Sequence, residues 1–198
     1  MKLTETVLLI DNVPARMCSF IQNRSQEISQ AIANVVNPPG NSGFVINPQK
    51  HGNGVLPIKR AFIQTLANFG WHPEFPMSLV NGVNPGPLDA FYRDENSGFA
   101  YAVEWETGNI SSSHRALNKL LLGIQDHYIS GGTLVLPSRA LYPYLTDRIG
   151  NFSELQPYFP VWRRPELEGL LAVIVVEHDG EDKNIPLIHK GTDGRALR

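Results

Sequence analysis

The chain has 198 residues, 42% of them hydrophobic and 18% charged, with a formal net charge of −2. A chain of this length buries roughly 70% of the surface its unfolded form exposes, which excludes extensive disorder, and the near-neutral balance excludes a uniformly basic surface while allowing a local basic cleft. Cys18 is the single cysteine, so a disulfide framework and a four-cysteine zinc site are ruled out, and a reducing, cytoplasmic setting fits.

Residues 1–40 read as an N-terminal helical part. Ile21, Ser25, Ile28, Ile32 and Val35 recur at helical spacing, which predicts an amphipathic helix over 19–36 stopped by Pro38-Pro39-Gly40. The apolar run at 7–10 is too short and too close to acidic residues for a signal peptide, and the run at 170–176 is too short to span a bilayer, so no membrane role is expected. Residues 37–54 are rich in Asn, Pro and Gly and form a structured loop with a brief strand at Phe44-Val45-Ile46. Pro57 then opens a helix whose face carries Phe62, Leu66 and Phe69, and Gly70 closes it.

The centre of the chain changes period. Residues 87–92 and 99–106 are aromatic and β-branched and flank a turn at 94–98, which predicts an antiparallel strand pair. Along the second strand Phe99, Tyr101, Val103 and Trp105 point one way, and Ala102, Glu104 and Glu106 the other. Beyond Gly108 a helix is expected, with the serines at 111–113 as N-caps and Leu117, Leu120, Leu121 and Ile124 as its apolar stripe. The continuous apolar runs at 133–136 and 170–176 read as buried central strands, and between them Asn151 with Glu154 forms a capping box opening a short helix over 155–159. Residues 1–198 therefore make one α/β domain, a mixed sheet flanked by helices. The histidines at 51, 72, 178 and 189 have no metal-ligand spacing and read as surface or loop residues.

Asp89, Glu104 and Glu106 place like charges on neighbouring strands, a conflict that a divalent cation resolves. Mg²⁺ takes a couple of carboxylates plus waters and substrate phosphate, and two such ions can serve phosphodiester hydrolysis. An exposed strand face also carries alternating glutamates, so the pattern alone leaves both readings open. The adjoining residues favour the chemistry: Asn109, Ser111, Ser112, Ser113, His114 and Arg115 stand at a helix start directly after the carboxylates, where phosphate binds and where Asn and Arg can read adenine and guanine.

From Val103-Glu104-Trp105-Glu106-Thr107-Gly108-Asn109-Ile110-Ser111-Ser112-Ser113-His114-Arg115 onward the chain resembles the BamHI-type restriction endonucleases. Further matching blocks are Asn53-Gly54-Val55-Leu56-Pro57-Ile58-Lys59, Gly86-Pro87-Leu88-Asp89, Tyr144-Leu145-Thr146-Asp147-Arg148 and Asn184-Ile185-Pro186-Leu187-Ile188. The blocks stay in order over residues 44–194. The resemblance implies the restriction-nuclease fold, with a mixed five-stranded sheet between helices. It also implies a homodimeric, Mg²⁺-dependent enzyme of the prokaryotic cytoplasm that cuts double-stranded GGATCC after the first G and leaves 5′ overhangs. A cognate DNA methyltransferase would protect the host without being a binding partner.

By matching position, Asp89 and Glu104 resemble the metal-binding carboxylates, with the Trp105 carbonyl and Glu74 as further ligands. Glu106 resembles the general base, where most relatives of the fold carry Lys. Asn109, Ser111, Arg115, Asp147 and Arg148 resemble the base-reading set, and their chemistry suits a GGA half-site: arginine to guanine, Asp147 to cytosine N4, Asn109 to adenine. Asp147 and Arg148 could also form a local ion pair. Lys59, Lys119 and Lys190 look like DNA-backbone contacts. The helix over 113–126, with His127 beyond it, corresponds to the dimer interface, and 184–198 to a short basic arm expected near the minor groove. Two other classes stay open: a catalytically silent DNA-binding dimer, and a less specific nuclease on the same fold.

Overall fold

The computed structural model describes residues 1–79, 82, 84–106 and 108–190. Its strands are β1 (Lys2–Asn12), β2 (Val45–Ile46), β3 (His72–Phe75), β4 (Leu88–Arg93), β5 (Ala100–Trp105), β6 (Gly131–Pro137), β7 (Gly169–Glu177) and β8 (Gly180–Glu181). Its helices are α1 (Cys18–Ala33), α2 (Leu56–Asn68), α3 (Ile110–Gln125) and the single turns α4 (Phe152–Leu155) and α5 (Phe159–Trp162). The main sheet runs β1-β7-β6-β5-β4-β3, and β2 pairs with β8 apart from it. The β5, β6 and β7 strands are parallel, and antiparallel strands extend the sheet on either side.

Central strands covered on both faces are apolar at every position, and β7 illustrates this. Leu170, Ala172, Ile174 and Val176 pack in one core with residues of α1 and α2, while Leu171, Val173 and Val175 pack in the other with α3 and α5. β5 divides in the same way, Tyr101, Val103 and Trp105 facing α1 and α2 and Ala100 and Ala102 facing the α3 side. By alternation Glu104 joins the α3 side.

The sheet has six strands where five were expected, because the N-terminal part is not wholly helical. Residues 2–12 form β1, antiparallel to β7 along the edge. Only Leu9 and Ile10 of this strand are buried, so the short apolar run at 7–10 does not mark out the whole strand, and Lys2, Glu5 and Asp11 face solvent as edge strands favour. Three local expectations also change. The α3 N-cap is Asn109, whose side chain accepts from Ser112 N–H, and the serines lie inside the helix. Asn151 precedes α4 without capping it through its side chain. His178, read as a surface or loop residue, lies in the loop after β7 but is buried there, with Nε2 3.2 Å from Glu181 Oε1. No helix among the described residues is long and apolar enough to cross a membrane.

Candidate active site

A cavity of about 430 Å³ opens where β5 ends and α3 begins, and among its lining residues are Lys59, Pro87, Asp89, Glu104, Trp105, Glu106, Arg115 and Lys119. The β4–β5 ladder pairs Ala90 with Val103, which brings Asp89 opposite Glu104. There the Asp89 carboxylate takes over from the strand backbone, Oδ2 accepting the Trp105 N–H at 2.8 Å. α2 sends Lys59 to Asp89 Oδ1 at 2.5 Å, and α3 sends Lys119 to within 2.6 Å of Glu104 Oε1. Lys119 also donates to the Pro87 carbonyl at 2.5 Å. Burial, and next the charge of Asp89, push the Glu104 carboxyl up to about 7 against the opposing pull of Lys119. Glu104 is thus a carboxylate still short of positive charge.

That deficit bears on whether the residues suit a divalent cation. Two carboxylates converge in one cavity, each paired with an ammonium group. Mg²⁺ binds with as few as one or two protein carboxylates when phosphate and water complete its sphere, so the donor set fits. Among the described residues no group of three acidic, His or Cys side chains converges for a metal. Glu74 is exposed on the edge strand β3 with φ 47°, and it does not line the cavity.

Glu106, just beyond the end of β5, is buried. Its Oε2 accepts from Ser113 Oγ at 2.5 Å, and its Oε1 from the Gly108 N–H. Ser113 has no exposed surface, and a sequence reading that takes the serines as caps overlooks it as a site residue. The signal is present, because Ser113 precedes Leu117, Leu120 and Ile124 at helical spacing and so falls on the inward face of α3. Lys59 and Lys119, expected on the DNA backbone, lie in the cavity beside the carboxylates.

Four of the five expected base-reading residues divide between two hollows. Arg115, one turn into α3, borders the cavity itself. Asn109, Ser111 and Arg148 border an adjoining open cleft of about 650 Å³, together with His114 and Tyr158. Asp147 and Arg148 are exposed on the loop before α4, with Arg148 Nε 3.7 Å from Asp147 Oδ2. Arg148 has φ 66°, a left-handed conformation that a residue with a side chain adopts only when its surroundings hold it there. Lys190 is exposed beside the loop entering α2, where Gly54 N–H donates to Ile188 O at 2.8 Å. His127 is exposed just beyond α3 with φ 55°. Thr107 and residues 191–198, and with them most of the expected C-terminal arm, lie outside the described residues.

The family described as Restriction endonuclease BamHI matches residues 1–195. The chain is 50% identical to the type II restriction enzyme OkrAI of Oceanobacter kriegii over the full length of both. It is 36% identical to the type II restriction enzyme BamHI of Bacillus amyloliquefaciens, over 90% of this chain and 85% of that protein. A solved structure of restriction endonuclease BglII complexed with a DNA 16-mer superposes with a TM-score of 0.61 over 96% of this chain and 90% of that one, at 10% identity, which shows the shared restriction-nuclease fold. The chain belongs to the BamHI family of type II restriction endonucleases, which are site-specific deoxyribonucleases.

Proposed function

We propose that this enzyme is a Mg²⁺-dependent homodimer that recognises GGATCC and hydrolyses the phosphodiester after the first G, leaving 5′ overhangs. The observation that carries the proposal is the convergence of Asp89 and Glu104 beside Lys59 and Lys119, directly next to the α3 start that holds Asn109, Ser111 and Arg115. Asp89 and Glu104, with the Trp105 carbonyl, would hold Mg²⁺, which supplies Lewis-acid polarisation of the phosphoryl group. Lys59 and Lys119 would pass from the carboxylates to a bound phosphate and steady its charge. Glu106, held by Ser113 and Gly108, orients one side of the cavity and is the candidate proton acceptor. Arg115, Asn109, Ser111, Asp147 and Arg148 supply the donors and acceptors that a GGA half-site calls for.

A palindromic site is read economically by a two-fold dimer. Leu122 of α3, Val161 of α5 and Tyr158 beside it are apolar yet 38%, 56% and 50% exposed, and α3 and α5 pack together. In this reading they form the face on which the two subunits meet.

The test is cleavage of a plasmid carrying one GGATCC, with Mg²⁺ or with EDTA, followed by sequencing of the ends. Mg²⁺-dependent cuts after the first G support the proposal, and Glu104→Ala should then bind the site without cutting it. Bound but intact plasmid with the unaltered protein would favour a silent binder, and cuts elsewhere would mean a different site is read.

A further inference from the structure

The loop that carries Asp147 and Arg148 is packed directly onto the hydrogen-bond partner of Glu106. Gly150 N–H donates to the Gly108 carbonyl at 2.8 Å, and Gly108 N–H in turn donates to Glu106 Oε1. On the other side of the same contact, a Cβ added at Gly150 would stand 2.5 Å from Ser113 Oγ, the atom that donates to Glu106 Oε2. Gly150 is not among the positive-φ residues, so it is space that calls for glycine here. Ser113, Glu106 and Gly150 are all buried, so water cannot readily replace a lost hydroxyl.

We propose that Ser113 is a positioning residue for the Glu106 carboxylate, and that Gly150 keeps the Ser113 hydroxyl in place, so that the Asp147-Arg148 loop and Glu106 form one packed unit. A loop displaced at Gly150 releases the Gly108 carbonyl and frees the Ser113 hydroxyl to turn away, and Glu106 loses its orientation. Correct seating of the loop on DNA is thereby linked to the geometry of the cavity. The inference rests on Glu106 belonging to the catalytic set.

The experiment measures single-turnover cleavage of a GGATCC duplex with Mg²⁺, and affinity for the same duplex with Ca²⁺, for Glu106→Gln, Ser113→Ala, Gly150→Ala and the Ser113→Ala, Gly150→Ala double variant. A hydrogen bond to a buried carboxylate implies that Ser113→Ala slows cleavage by about ten- to a hundredfold, with affinity changed less than about twofold. Gly150→Ala is expected to slow it similarly, and the double variant to be no slower than Ser113→Ala, because the alanine methyl then has no hydroxyl to displace and needs only a few tenths of an ångström from the Ile110 backbone, 3.3 Å away. Cleavage at the unaltered rate by Ser113→Ala, or fully additive losses in the double variant, would overturn the inference while Glu106→Gln stays inactive. Should Ser113→Ala fail to fold, unimpaired cleavage by Gly150→Ala would overturn it equally. Full activity of Glu106→Gln would instead remove the reading of Glu106 on which it rests.

Discussion

Glu104 and Asp89 face each other across the end of a strand pair, and the cost of that arrangement is concentrated on Glu104. Burial first, then the Asp89 charge, raise its carboxyl to about 7 from a reference value of 4.5. The folded protein therefore holds a proton that the unfolded chain releases, so the stability contributed by protonated Glu104 is full below about 4.5 and is lost as the pH rises through about 7. In EDTA, Glu104→Gln is expected to melt near the unaltered protein at pH 5 and above it at pH 8. A gap independent of pH would show that Glu104 keeps its ordinary acidity. At this scale the sequence was informative about which groups meet. The Glu104-X-Glu106 alternation and Asp89 placed carboxylates together, but nothing local foretold that Lys59 and Lys119 would be drawn inside to neutralise them, since 30 residues separate Lys59 from Asp89 and the pairing depends on α2 packing beside β4.

The central strands β6 and β7 were plain from composition because both of their faces are covered, which demands apolar residues throughout. β1 was missed for the complementary reason: an edge strand is stabilised by its ladder with β7 more than by its side chains, and a ladder leaves little trace in composition. Packing between elements is tight where β5 and β6 meet. A Cβ at Gly131 would lie 2.4 Å from the Tyr101 ring and 2.9 Å from Ile21, with no flexible chain end to give way on the ring side. Gly131→Ala is expected to cost about 1–3 kcal/mol by overpacking. Chemical denaturation would measure it, and an unchanged midpoint would show that the Tyr101 ring can move. For α3 the apolar stripe identified the inward face, whereas the cap could not be assigned from residue type, because Asn109 and three serines are all competent N-caps. The backbone decided between them: Asn109 has extended geometry and the serines do not.

Taken as a whole, the molecule builds its site from one sheet end, two helices and a loop, and leaves an apolar face on α3 and α5 outside that site. If that face closes a dimer, a double variant Leu122→Glu, Val161→Glu should sediment as a folded monomer where the unaltered protein sediments as a dimer. A dimer that survives both charges would place the interface elsewhere. The ordered blocks of residues around 53–59, 86–89, 103–115 and 144–148 were enough to recognise the restriction-nuclease fold and the endonuclease family, because so many specific residues in one order do not recur together by chance. What local pattern could not convey was the sixth strand, the inward turn of Lys59 and Lys119, the exposed place of Glu74 away from the cavity, and the clasp of Ser113 between Glu106 and Gly150. Each of these depends on contacts between segments distant in the chain or on the space left between them, and such contacts exist only once the whole sheet has assembled.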